Sequence, residues 1–437
     1  MRKAVIMGAG GRDFHNFNMF FRDNPAWNVV AFTTAQIPGI AGRIYPASLA
    51  GKLYPSGIPI LDEAELPVLV KKHGIDIVVL AYSDLSNQEV MEKAAIAIAA
   101  GADFTLMGSK STMLESRKPV ISICAVRTGA GKSPVSRVVV RVLRKLGKRV
   151  VVIRHPMPYG NLEKERVQRF AGLKDIDMAG CTVEEREEYE PHINEGVVVY
   201  AGVDYAEILA AAEKEADVIV WDGGNNDLPF FRPDLHIVVA DARRPGHEVS
   251  YHPGAANFRM ADVIIVNKVG SAGKGCVEQI TANARRVNPR ARIIMADMPQ
   301  TVDNPGLLGP GKKVLVVEDG PTLTHGGLSY GAGYLVSKAA GAEIVDPRPY
   351  AKGSIGEVFE KYPHIGSVLP AVGYGKAQMV ELMRTINAVP CDVVVLGTPV
   401  NLARHMKLNK PVVRVTYEID GDAAIAIEKI IKASGFL

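Results

Sequence analysis

Along this chain short apolar runs alternate with polar, glycine-rich breaks. KAVIMGA (residues 3–9), WNVVAFTTA (27–35), IDIVVLAYSD (75–84) and TLMGS (105–109) are short and mostly apolar on both faces, so the pattern predicts strands. EVMEKAAIAIAAG (89–101) reads as a helix between the last two. Strands that alternate with helices imply a parallel sheet covered on both faces. A first α/β domain is expected over residues 1–118.

A second series begins with RKPVISICAV (117–126). Val135, Val138, Val139, Val142, Leu143 and Leu146 then recur at helical spacing, Pro134 sits in the first turn, and Gly147 ends the run. Further strands are expected at residues 149–154, 217–222, 236–241, 262–268, 291–297 and 313–319. After Ile344 the chain becomes irregular and rich in Pro and Gly, with strand candidates at 392–399 and 411–418. Residues 119–437 are read as a second, larger domain with a mostly parallel sheet and a C-terminal α/β extension.

Composition narrows the function classes. With 47% hydrophobic and 22% charged residues among 437, the chain can build large cores and is not a disordered sequence. The net charge of +4 is spread without a Lys/Arg block, which suits small anionic ligands and not a nucleic acid. Cys124, Cys181, Cys276 and Cys391 lie far apart and form no zinc-ligand spacing, as expected of free thiols in the cytoplasm. The N-terminal run is a strand and not a signal peptide. No apolar stretch reaches the roughly 20 residues of a membrane span.

The chemistry concentrates in loops that follow strands. In AVRTGAGKSP (125–134) the standard phosphate-loop pattern G-x-x-x-x-G-K-[ST] fails at Val126. The segment Arg127, Thr128, Gly129, Ala130, Gly131, Lys132, Ser133 resembles instead the variant K-G-G-x-G-K-[ST], with Arg127 as the first cation. Two glycines let backbone N–H groups face a phosphate, and the helix N-terminus adds positive potential. Lys132 would reach the outer phosphates and Ser133 would ligate Mg²⁺. VIVWDGGNND (218–227) supplies the distal carboxylate, Asp222. VIIVNKVGSA (263–272) places Asn267 and Lys268 where a base-recognition N-K-x-D motif begins, but Gly270 replaces its Asp. The main acceptor for guanine is lost, and ATP is the expected nucleotide.

Cationic groups follow several strands: Arg154 and His155, then Arg243, Arg244 and His247, then His252 and Arg259. Carboxyl ends of parallel strands open on one crevice, so these groups are expected to bind a phosphorylated substrate. GAGGRDFHNF (8–17) departs from the dinucleotide fingerprint. Arg12, Asp13 and His15 are read there either as substrate-binding groups or as a glycine turn capped by Asp13. VEEREEYEPHI (183–193) is an acidic run expected to form mainly a solvated face, with Glu190 and His192 as candidates for Mg²⁺ or proton traffic.

As a set, RTGAGKSP, WDGGNND, DARRPGHE, HPGAANFRMADVIIVNK, EDGPTLTHGG and the GAGGRDFHNF start resemble cyclic 2,3-diphosphoglycerate synthetases over nearly the whole chain. The resemblance implies an N-terminal Rossmann-like domain followed by a P-loop NTPase domain. It also implies ATP- and Mg²⁺-dependent closure of a phosphoanhydride within 2,3-diphosphoglycerate, often with potassium. In that reading Lys132, Arg127 and Asp222 are catalytic. Ser133, Asp222 and Glu190 would hold the metal, and the first domain would close as a lid with Arg12 and His15 facing inward. A homodimer is compatible with it. Two alternatives stay open: a regulatory or metal-delivery P-loop NTPase, and a ligase or kinase for another small phosphorylated acid.

Overall fold

The computed structural model describes residues 1–35, 40–155, 160–224, 227–324, 326–372 and 376–436. Asn225, Asn226 and His325, which belong to loops singled out above, lie outside the described residues. The architecture is α/β and rests on three mainly parallel sheets.

The first sheet runs Ile44–Tyr45, Ile58–Asp62, Trp27–Thr34, Arg2–Met7, Ile77–Leu80, Asp103–Leu106. All its pairings are parallel except that of Ile44–Tyr45. Strand order reverses at Arg2–Met7, so the Gly8–Gly11 turn sits at a switch point.

The second sheet runs Val167–Phe170, Val198–Gly202, Val150–Arg154, Val218–Asp222, Val120–Ala125, Leu235–Asp241, Val263–Asn267, Arg292–Met295. Its central strands are buried along their whole length, which is why they read as unbroken apolar runs. Helix Lys132–Lys145 covers one face. It buries Val135, Val138, Val139, Val142 and Leu143, the stripe expected from the spacing. The C-terminal helix Gly421–Ala433 packs into the same core through Ala423, Ile427 and Ile431. Burial of each large aliphatic side chain contributes about 1.5–3 kcal/mol, so this stripe anchors the helix firmly.

Residues 313–319, read in series with these strands, pair elsewhere. Lys313–Asp319 lies in a third sheet beside Val393–Gly397, Glu343–Ile344 and Leu369–Ala371, with Val412–Tyr417 and Gln300–Val302 beyond. The stretch after Ile344 is also less irregular than its Pro and Gly content suggests, since it contains helices Ser354–Lys361 and Lys376–Ala388. A short antiparallel ribbon, Leu85–Ser86 with Tyr251–His252, ties the first sheet's segment to the second's. Among the described residues no helix is long and apolar enough to cross a membrane.

Candidate active site

The loop Arg127–Gly131 joins strand Val120–Ala125 to helix Lys132–Lys145. Gly129 and Gly131 have φ of +77° and +103°, a conformation that a side chain would strain. At Gly131 a Cβ would also collide with Asn267 Nδ2 and Met298 Sδ. The helix N-terminus has no side-chain cap, which leaves its first amides available to an anion. Thr128 lines the cleft in front of the loop, and its buried hydroxyl has no hydrogen-bond partner among the described residues. These features fit a polyphosphate.

Asp222 ends the neighbouring strand and is fully buried. Lys132 Nζ donates to its Oδ1 at 2.5 Å, His192 Nε2 donates to its Oδ2 at 2.7 Å, and Arg154 Nη1 lies 2.5 Å from the same oxygen. Burial pushes the Asp222 carboxyl upward, but Arg154, Lys132 and His192 outweigh it and hold the group well below the usual range. Burial, and then Arg154, bring the Lys132 ammonium down to about 8. Arg154 also pairs with Glu188.

The second carboxylate of the region is Asp241, at the end of strand Leu235–Asp241. Lys268 Nζ lies 2.8 Å and Arg244 Nη2 3.0 Å from its Oδ2, and these cations hold it at about 2 against the effect of burial. Asn267 and Lys268 brace the phosphate loop from behind: Asn267 Nδ2 donates to Ala130 O at 2.9 Å, and Lys268 Nζ to Gly129 O at 2.5 Å.

The cleft in front of the loop has two walls. One is the loop with Lys132, Ser133, Arg137, Arg243 and Lys268. The other comes from helix Val183–Asn194 and from strand ends of the third sheet, with Glu187, Glu188, Glu318 and Asp319. Glu187 is buried and accepts from Thr398 Oγ1 at 2.5 Å. Burial, and then Asp319, drive its carboxyl well above the ordinary value. Burial brings Glu318 up to about 7, although Gly331, Gly333 and Tyr334 donate backbone N–H groups to it.

The acidic run is therefore not a solvated face. Glu184, Glu185, Glu187 and Glu190 are all buried because the helix is wedged between the second and third sheets. Glu190 does not join Ser133 and Asp222, since it points to Arg186 at 3.1 Å and His405 at 3.7 Å. Among the described residues no group of three or more His, Cys, Asp or Glu side chains is arranged to hold a metal. Ser133 lines the cleft, and Asp222 has both carboxylate oxygens engaged, one by Lys132 and the other by Arg154 and His192.

The expected substrate residues of the first domain do not reach this cleft. Arg12 is buried and donates to Leu228 O at 3.1 Å and Thr112 Oγ1 at 2.7 Å. Asp13 caps the glycine turn, accepting from the amides of Gly10, Gly11 and Phe14. His15 stacks on Phe230 at 3.9 Å and contacts Thr112 O at 2.5 Å. His252 lines a small separate cavity with Arg12 and Asp227. His155 lies 2.6 Å from Asp227, in a slot where a side chain at Gly11 or Gly224 would strike its ring. Arg12 and His15, through Leu228 and Phe230, tie the first sheet's segment to the second's, away from this cleft. Arg127 points the same way, toward Asp84 and His247, and Arg244 is committed to Asp241 and to the carbonyls of Thr128 and Gly326. Of the cationic substrate candidates only Arg243 lines the cleft.

Three groups escaped the sequence reading. Asp84, just after strand Ile77–Leu80 of the first sheet, grips the loop through Arg127 and Thr128. Asp297 accepts from Gly270 N at 3.1 Å through Oδ2 and lines the cleft. Glu187 and Asp319 form the acidic wall.

Fold and loop together define a phosphate-loop α/β protein. No family model matches the sequence. Arginine synthetase ArcE of Thermococcus kodakarensis is 60% identical over 420 residues, which cover 96% of this chain and 94% of that protein. A cyclic 2,3-diphosphoglycerate synthetase of Thermococcus sibiricus is 23% identical over 242 residues, 51% of this chain and 54% of that one. Among solved structures, LpxK of Aquifex aeolicus in complex with ATP has a TM-score of 0.43 at 12% identity, covering 74% of this chain and 90% of that one. The chain belongs to the arginine synthetase ArcE family and is an enzyme of the ATP-dependent ligase class. The cyclic 2,3-diphosphoglycerate synthetases are its more distant relatives, so the resemblance read from the sequence holds at superfamily level.

Proposed function

We propose that the chain uses ATP to form arginine, and that its acceptor is an amino acid held between the phosphate loop and the acidic wall. The observation that carries this reading is that wall. Glu187, Glu188, Glu318 and Asp319 share the cleft with Lys132. Burial and crowding keep the Glu187 and Glu318 carboxyls raised, so the ammonium or guanidinium of an amino acid would ionise and neutralise them, whereas 2,3-diphosphoglycerate would bring further negative charge against the wall. The 60% identity to an arginine synthetase supports the same choice over ring closure in a polyanion.

Residues 127–133 would hold the triphosphate, with Lys132 neutralising its outer phosphates. Ser133 and Asp222 would hold the Mg²⁺ that the nucleotide carries. Asp222 in turn is kept ionised and oriented by Arg154 and His192. ATP supplies the phosphoryl group that turns an acceptor oxygen into a leaving group. Ammonia then attacks the carbon that bears this oxygen, the C–N bond forms as the C–O bond breaks, the oxygen departs on phosphate, and the surplus proton of the new C–N group passes to solvent. Glu187 and Asp319 would place the cationic part of the amino acid, and closure of the cleft would keep water from the activated acceptor.

The reaction can be tested from its product side. Arginine, ADP, phosphate and Mg²⁺ are incubated with the protein, and ATP is read by luminescence. In parallel, ATP and 2,3-diphosphoglycerate, with and without potassium, are followed by phosphorus NMR. ATP formed from arginine supports the proposal. A cyclic pyrophosphate signal with no ATP from arginine overturns it. Lys132→Ala should lower either activity at least about a hundredfold. Glu187→Gln should raise the KM for arginine and leave that for ADP nearly unchanged.

A further inference from the structure

The phosphate loop is held open from behind by side chains that take its carbonyls. Arg244 Nη2 donates to Thr128 O at 2.7 Å, Lys268 Nζ to Gly129 O at 2.5 Å, and Asn267 Nδ2 to Ala130 O at 2.9 Å. With these carbonyls held by side chains and Ala130 N donating to Arg127 O at 3.2 Å, the loop backbone is fixed on several sides. All three braces come from the second sheet's own strand ends. The start of the loop is held differently. Asp84, which follows strand Ile77–Leu80 of the first sheet, accepts from Arg127 Nε at 2.5 Å with Oδ1 and from Thr128 N at 3.3 Å with Oδ2.

This contact is built into the fold. The Arg127 and Asp84 side chains are only 7% and 5% exposed. The Arg127 guanidinium lies 3.7 Å over the ring of Tyr251, and its Nη1 is 3.0 Å from His247 Nδ1. Tyr251 pairs with Ser86 in the ribbon that ties the two segments together. Asp84 has φ of +63°, and the other described non-glycine residue with positive φ is Lys268, which also grips the loop. Such conformations persist where surrounding contacts over-determine them, and both instances here surround one phosphate loop.

We propose that Asp84 is a positioning residue for the nucleotide: it draws Arg127 aside and fixes Thr128, so that the first domain completes the phosphate loop. The inference rests on the reading of residues 127–133 as the nucleotide site. It makes the contribution of Arg127 to binding indirect, through the shape of the loop.

Dissociation constants for ATP, measured by fluorescence titration with a labelled analogue on the full chain, test it. Asp84→Ala should weaken ATP binding about tenfold or more, because the loop must then be ordered by the ligand itself. Asp84→Asn keeps the acceptor for Thr128 N–H and tolerates the backbone, so it should lose less. In turnover the effect should fall on the KM for ATP, with kcat and the KM of the second substrate near wild type. A purely architectural role would lower the unfolding midpoint and leave the dissociation constant unchanged below that midpoint, which would overturn the proposal. If Asp84→Ala does not fold, the Asp84→Asn constant decides alone, and a value within twofold of wild type overturns it. Wild-type protein that binds no ATP would overturn the reading of the site itself, and this inference with it.

Discussion

At the scale of single residues, the site is a set of opposed charges held out of water. Lys132 shows what this does. Burial and Arg154 bring its ammonium down to about 8, while a bound phosphate would favour the charged form. ATP binding should therefore take up a proton above that pH. Affinity should be flat below pH 7 and fall as pH rises past about 8, approaching tenfold per unit. Titrating the dissociation constant from pH 6 to 10 checks this, and a profile flat across pH 7–9 would separate Lys132 from the phosphates. Residues inside contiguous motifs were legible. Lys132 and Ser133 open a helix after a glycine loop, and Asp222 ends a strand, where the motifs placed them. Asp84 and Asp297 were not, because each acts on a loop far from it in sequence. Nor could Arg12 and His15 be assigned, since the same residue types serve equally as ligand groups or as buried interface polar groups with backbone partners.

At the scale of elements, the loop depends on two glycines for different reasons. Gly131 needs both its positive φ and the space that Asn267 and Met298 fill. Gly131→Ala should therefore displace the brace and lower ATP turnover more than about tenfold. Gly147 also has positive φ, +76°, but a Cβ there meets nothing within 4 Å. Gly147→Ala should cost about 1 kcal/mol of stability, typical of a left-handed position, and leave ATP binding unchanged. Steady-state kinetics beside thermal unfolding of the two variants separates these effects. The helix Val183–Asn194 carries a converse lesson. Its glutamates look like a solvent face when read by composition. Packing between two sheets buries them, and the structure partners them with Thr182, Arg186 and Thr398.

At the scale of the molecule, three sheets divide the labour. The second carries the phosphate loop, the first braces it through Asp84, and the third supplies the facing wall. Arg137 fastens that wall, since it donates to Tyr417 O at 3.0 Å and Glu418 Oε1 at 3.2 Å at the end of the third sheet's strand Val412–Tyr417. Amide hydrogen exchange should register the arrangement. ATP should slow exchange in residues 127–136 and, in the same titration, in residues 319–324 across the cleft. Protection confined to the loop would mean that the third sheet is not part of the nucleotide-bound site.

Alternating apolar runs and helical spacing, both local in sequence, were enough to establish an α/β chain with parallel sheets. A contiguous loop with Lys132, followed by Asp222 at a strand end, was enough to mark a candidate phosphate site. Periodicity does not encode which strands become neighbours. The chain alone therefore left undecided that residues 313–319 leave the second sheet for a third, that the acidic helix faces the phosphate loop, and that Arg12 and His15 turn to an interface with the second sheet's segment. Those outcomes follow from how apolar faces and buried charges find partners across hundreds of residues, and the composition of the cleft follows from them.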